Sequence, residues 1–202
     1  SIGSYLNNDF IDRLSDTSKL LIAGTGAGYG VYGVKRAIGL RFPYHAKVSP
    51  ERAFFQSERK KTCEIFWVRG PLTTRLLNIS DDCAIADAAY LIRKTGKALN
   101  LDESTNGKFA FMPHIATAQM ADFDRVCRWL NIEFIDPRGD FESVLKRIST
   151  SKVLITEALH GAIVADALRT PWIPTASSEN ILNFKWVDHC MSIGLPYNPH
   201  HI

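Results

Sequence analysis

No apolar run in the 202-residue sequence approaches the roughly 20 residues that a helix needs to cross a bilayer, so no membrane-spanning helix is expected. The chain does not start with a basic stretch followed by an apolar one, which leaves the cytoplasm as the expected compartment. An excess of charge is missing as well. The 24 Lys and Arg stand against 21 Asp and Glu, a formal net charge of +3. That is too little for the basic stripe by which proteins hold nucleic acid, but it is no obstacle to small anions. The four cysteines, Cys63, Cys83, Cys127 and Cys190, form no CxxC pair and read as reduced core residues, not as zinc ligands. No carboxylate cluster has the spacing of a cation loop, so no metal is expected. Internal repeats and low-complexity tracts are also absent.

What is present is an ordinary globular composition, 46% hydrophobic and 22% charged. The clearest unit within it is Lys152–Arg169, KVLITEALHGAIVADALR. Val153-Leu154-Ile155-Thr156 has the continuous β-branched character of a strand buried on both faces. Leu159, Ile163 and Ala167 then recur in steps of four, as on a helix. Thr156 is the expected N-cap, and Glu157 and His160, three apart, are expected to share a face of the first turn. In open α/β sheets a strand end that runs into a helix start is where anionic ligands bind.

The same alternation continues along the chain. Strands are expected at Lys19–Ala23, Glu64–Val68, Cys83–Ala86, Phe109–Met112, Ile132–Ile135 and Trp172–Thr175. Helices are expected at Asn7–Leu14, from Gly70-Pro71 to Leu77, at Ala118–Leu130, at Asp140–Ile148 and at Asn180–Ile193, with a helical turn at Ala88–Arg93 and a short helix near Glu51–Glu58. Asp140 is the expected cap of its helix, and Phe123, Val126, Cys127 and Leu130 are the expected buried stripe of another. Trp129, Trp172 and Trp186 read as core residues, not as sugar platforms. Gly28, Gly30 and Gly33 spell GxGxxG, but they begin several residues after the strand and lack the acidic partner of a dinucleotide site, so they read as a close backbone approach.

Strands alternating with helices imply parallel sheets with right-handed crossovers. The expected division is an incomplete amino-terminal Rossmann-like domain at 1–95, a polar linker at 96–107, a carboxyl-terminal Rossmann-like domain at 108–180, and a helix and tail at 181–202 free to bridge back. Two doubly wound parallel-sheet units of this kind leave a cleft lined by strand ends. The polar residues at those ends are Arg69, Asp87, His114, Asp136, Arg138, Glu157 and His160. Arg69 stands where a strand meets the Gly70-Pro71 helix start, which suits a carboxylate or phosphate; it equally suits pairing with a structural carboxylate.

The segments WVRGPLTTRLL, IADAAYLI, FMPH, IDPRGD, ITEALHGAIVADALRTPWIP and FKWVDH, in this order, resemble the polysaccharide pyruvyl transferases, in particular the succinoglycan-type exopolysaccharide enzymes. The resemblance runs from about Ser1 to about Leu195. It implies a GT-B-like fold, with the amino-terminal unit here truncated. It also implies transfer of an enolpyruvyl group from phosphoenolpyruvate to a sugar of an exopolysaccharide or cell-surface glycan precursor, giving a pyruvate ketal. The acceptor would be a lipid-linked oligosaccharide or polysaccharide, met through peripheral association with the inner face of the cell membrane. Phosphoenolpyruvate is the donor substrate, and no cofactor is implied.

On that resemblance His160 and Glu157 are the acid/base candidates, and Arg69, Gly70, His114, Asp87, Arg138 and Lys185 the substrate-binding ones. Many members carry arginine where this chain has Ala158, and Lys185 or Arg138 could supply that charge. Two other readings stay open: a GT-B-type nucleotide-sugar-dependent glycosyltransferase or epimerase, and a non-catalytic glycan-binding fragment.

Overall fold

A computed structural model describes residues 20–27, 63–96, 107–177, 181 and 183–202. The Asn7–Leu14 helix, the Gly28, Gly30 and Gly33 pattern, the short helix near Glu51–Glu58 and most of the 96–107 linker lie outside the described residues. Among those described, the strands are β1 (Leu20–Thr25), β2 (Cys63–Val68), β3 (Phe109–Met112), β4 (Glu133–Phe134), β5 (Val153–Thr156), β6 (Trp172–Ala176) and β7 (His200–His201). The α-helices are α1 (Pro71–Leu77), α2 (Ile92–Gly96), α3 (Phe123–Trp129), α4 (Phe141–Thr150), α5 (Leu159–Ala167) and α6 (Asn183–Ser192). The chain divides into two units, residues 1–88 with 182–197 and residues 89–181 with 198–202. Both are α/β, and among the described residues every strand pairing is parallel.

In the first unit β1 pairs with β2, and Ala84 adds a single parallel bridge to Val68. The strand expected at Cys83–Ala86 is thus one residue wide. Its start is taken up by a 3-10 turn at Asp81–Cys83, closed when Ser80 Oγ accepts the Asp82 amide. Helix α6, from the far end of the sequence, packs on α1, with Leu72, Phe184 and Ala27 buried together. Gly24 is needed where β1 ends. Its φ is +72°, and a Cβ there would fall 2.4 Å from the Ala88 amide nitrogen.

The second unit has the strand order β4-β3-β5-β6-β7. Numbered within the unit this is 2-1-3-4-5, a doubly wound order whose direction of growth reverses between β3 and β5. Ala110, Met112, Ile135, Ile148, Leu154 and Ala165 form its core. The Asp140 carboxylate accepts the Ser143 amide at 3.0 Å and starts α4, as the sequence predicts.

Other boundaries differ for local reasons. Asp122 caps α3 by accepting the Arg125 amide, so the helix expected from Ala118 begins at Phe123, after a 3-10 turn. The expected stripe is only partly buried: Cys127 is inside, but Val126 and Leu130 are exposed and Trp129 is 84% exposed. Helix α3 lies against β4, a two-residue strand at the sheet edge, which leaves it little surface to cover. Trp129 is therefore not a core residue, whereas Trp186 is. At the other edge, the tail supplies β7, which pairs Thr175 with His200 and Ala176 with His201. Thr156 is not the cap of α5. Its hydroxyl donates to the Met112 carbonyl and accepts the Ala158 amide, so the helix begins two residues later than expected, with Ala158 at the N-cap. Glu157 then lies ahead of the helix, off the turn that carries His160.

Leu154 is fully buried. Leu154→Ala should destabilise the protein by about 2–5 kcal/mol in urea unfolding; a loss below about 1 kcal/mol would show that this is not the centre of a packed core. Cys190 on α6 is also buried, and burial pushes its thiol up to about 11. In the unfolded chain it ionises near 9.0, so above that pH the unfolded state holds fewer protons than the folded one. Stability should fall as pH rises from about 9 to about 11. The difference between wild type and Cys190→Ala isolates this effect, and a difference that stays constant across the window would contradict it.

Candidate functional site

Each unit gathers polar side chains at the carboxyl ends of its strands, and the two gatherings are built differently. In the first unit Arg69 follows β2 and is wholly buried. Its Nε donates to Asp188 Oδ2 at 3.2 Å, its Nη2 to the Ala27 carbonyl at 2.9 Å, and its Nη1 lies 3.8 Å from Asp87 Oδ2. Asp188, on α6, also accepts the Leu72 and Thr73 amides on Oδ1 at 2.9 and 3.0 Å, and the Thr73 hydroxyl on Oδ2 at 2.6 Å. These amides are the donors of the α1 start, where a helix is most receptive to negative charge. The anion received there is the chain's own carboxylate.

The glycines around this cluster are required by its density. A Cβ on Gly70 would lie 2.1 Å from the Asp188 carbonyl oxygen, and one on Gly26 would lie 2.3 Å from the Arg69 guanidinium. The Ala27 amide donates to Thr73 Oγ1 at 3.2 Å, so the network extends from α6 through α1 to the residues just after β1. Arg69, Gly70 and Asp87 are thus brought together, around Asp188. Lys185, also on α6, is half-buried.

In the second unit the polar residues flank the β3/β5 reversal. His114 follows β3, Asp136 and Arg138 follow β4, Glu157 follows β5, and His160 is the second residue of α5. Glu157 is fully buried: Oε2 accepts the His114 amide at 3.2 Å and Oε1 the Ser177 amide at 2.5 Å. The His114 ring is held from within its own loop, where Nδ1 accepts the Ala116 amide at 3.3 Å. Helix α5 approaches β3 and β5 so closely that a Cβ on Gly161 would lie 2.9 Å from Met112 Sδ. Ala158 ends the strand-to-helix corner with a methyl group and no charge.

Arg138 brings a cation to this edge. Asp136 grips it from two residues away, through Nε at 2.8 Å and Nη2 at 2.6 Å. This hydrogen bonding from Arg138 holds the Asp136 carboxyl below its ordinary range, and both groups remain partly open to solvent. The pair fixes the guanidinium plane while leaving Nη1 out of the grip.

A cavity of about 290 Å³ lies at the opposite edge, by the amino ends of β3 and β4, and includes Lys108, Arg128, Glu133 and Arg147. Its guanidinium groups are paired with Asp124 at 3.0 Å and with Glu133 at 2.6 Å, and no predicted site residue lines it. Among the described residues, no three or more His, Cys, Asp or Glu side chains converge as a metal site requires.

Sequence reasoning missed Asp188, Thr73, Ser177 and Gly161. Asp188 lies 119 residues from Arg69, and no local periodicity links them. Ser177 contributes only its amide, which carries no side-chain signal.

Residues 49–179 match a family model described as polysaccharide pyruvyl transferase. The chain is also similar to the succinoglycan biosynthesis protein ExoV of Rhizobium meliloti (strain 1021), with 29% identity over 201 residues, 100% of this chain and 55% of that protein. The chain thus spans about half the length of the curated relative it matches. No solved structure matches it.

The buried Arg69–Asp188 pair makes a direct prediction. Asp188→Ala strands a buried guanidinium and three further donors, and should cost about 3–5 kcal/mol in urea unfolding. Asp188→Asn, which keeps one acceptor oxygen, should cost less. Equal effects of the two substitutions would show that the carboxylate is not the anchor of this edge.

Proposed function

The chain belongs to the polysaccharide pyruvyl transferase family, and on that footing we propose that it moves the pyruvyl group of phosphoenolpyruvate onto a sugar of an exopolysaccharide or cell-surface glycan precursor, as a ketal. The observation that carries this reading is that His114 follows β3, Arg138 lies in the turn after β4 and His160 is in the first turn of α5, all at the carboxyl side of the second unit's sheet, whose order reverses between β3 and β5. In a doubly wound sheet that crevice is the place for a small anionic ligand. Most of the unit also lies within the residues matched by the family model.

The chemistry asks for few groups. The methylene carbon of the enol gains a proton, two sugar oxygens bond to the neighbouring carbon, and the bond from that carbon to the phosphate-bearing oxygen breaks. One hydroxyl proton is accounted for in the new methyl group and the other leaves with phosphate, so the exchange is redox-neutral. His160 serves as the acid/base group that moves these protons. Arg138, its plane set by Asp136, faces the donor's negative charge and takes the place of the arginine that Ala158 does not supply. In this reading Arg69, Gly70 and Asp87 shape the first unit's edge, because the charge and amides there already serve Asp188.

Two parallel α/β units in one chain support a GT-B-like fold within the same proposal. A lipid-linked acceptor, met at the inner face of the membrane, belongs to it too.

The test is phosphate release on mixing the protein with phosphoenolpyruvate and a lipid-linked oligosaccharide. Release should depend on the acceptor and fall by about 10²–10⁴-fold in His160→Ala. Undiminished release in that variant would overturn the assignment of His160. Thermal stabilisation by a nucleotide sugar, with none from phosphoenolpyruvate, would overturn the reaction itself.

A further inference from the structure

We infer that Glu157 is a positioning residue: its carboxylate carries no proton in the reaction and instead sets the main chain that presents His114 as an Nε2–H donor. The inference deepens the pyruvyl-transfer reading in its kinetic consequence, while its structural content stands apart from that reaction.

Glu157 is fully buried, and each of its oxygens accepts a main-chain amide from a different strand end, His114 after β3 and Ser177 after β6. Amide protons are not transferable at neutral pH, so these bonds hold the carboxylate in place without relaying charge. A buried carboxylate without such donors would be costly, and one that gave them up to act on a substrate would lose the two bonds that offset its own burial.

Glu157 and its neighbour Thr156 bind the end of β3 twice more. The Met112 carbonyl accepts both the Thr156 hydroxyl at 2.8 Å and the Glu157 amide at 3.1 Å. Thr156 and Glu157 therefore clamp Met112 and His114 across the β3/β5 reversal. Pro113 lies between these two and stiffens the step.

The clamp fixes where the loop beyond His114 turns back, and there the Ala116 amide donates to His114 Nδ1. A ring nitrogen that accepts a hydrogen bond carries no proton, so the neutral ring holds its proton on Nε2. His114 is thereby a defined donor for a phosphate or carboxylate oxygen. Glu157 acts through it.

The test uses the full chain with nitrogen-15 in its histidines. At pH 8 the long-range proton–nitrogen spectrum of the wild type should show His114 as one tautomer, protonated on Nε2. The wild-type His114 and Ser177 amides should also exchange slowly with solvent. In Glu157→Gln, where one amide meets an NH2 group in place of an oxygen, His114 should show mixed tautomers and kcat should fall by about tenfold or more. The pH dependence of kcat should keep its shape. Glu157→Asp, too short to reach both amides, should not rescue the variant.

Loss of the acidic limb of the pH profile in Glu157→Gln would identify Glu157 as a proton carrier and overturn the inference. Mixed His114 tautomers in the wild type, or fast exchange of the two amides, would overturn it even if no variant folds. If the wild type releases no phosphate at all, the reaction reading fails, and the spectroscopic and exchange results still decide the role of Glu157.

Discussion

Buried carboxylates held by main-chain amides tie together the strand ends in both units. Asp188 accepts the first amides of α1, and Glu157 accepts the amides of His114 and Ser177. Parallel sheets create the need for such anchors. All strands end on the same edge, so that edge collects loops whose N–H groups have no ladder partners. A carboxylate satisfies two of them at once and brings a negative charge that the nearby helix starts favour. In the first unit the anchor is charge-matched by Arg69, and the edge is closed on itself. In the second the anchor is held by main-chain amides and not by a side-chain cation, and His114, His160 and Arg138 stand on the same side of the sheet. That contrast is why the proposed chemistry falls to the second unit.

Most strands were legible in the sequence because a strand covered on both faces shows itself as a short β-branched run. Val153–Thr156 is of this kind, Phe109–Met112 shows itself as a short apolar run without β-branching, and the structure places strands at both. Helix starts were less legible. Thr156 looked like a cap, but its hydroxyl had a better partner across the sheet in the Met112 carbonyl. The tail strand His200–His201 was invisible, since two residues cannot show a period. The apolar neighbours of Trp129 point to the core, and the narrowness of β4 explains why that face is open.

The site was legible as a set of strand-end residues but not as an arrangement. Arg69, Asp87, His114, Arg138, Glu157 and His160 do stand at strand ends or helix starts. What the sequence could not show is which of their atoms are already engaged. The partner of Arg69 comes from the last helix, and the partners of Glu157 are amides, which every residue but proline carries. Residue identity marks the candidates, while long-range hydrogen bonding decides between anchoring and chemistry.

The central claim is that the donor binds at the carboxyl edge of the second unit, and amide chemical shifts followed during a titration with phosphoenolpyruvate test it most directly. The account predicts shifts concentrated at His114–Ala116, Arg138 and Ala158–Gly161, with the cavity around Lys108, Arg128 and Arg147 unaffected. Shifts confined to that cavity, or none at the strand-end residues at saturating phosphoenolpyruvate, would contradict it.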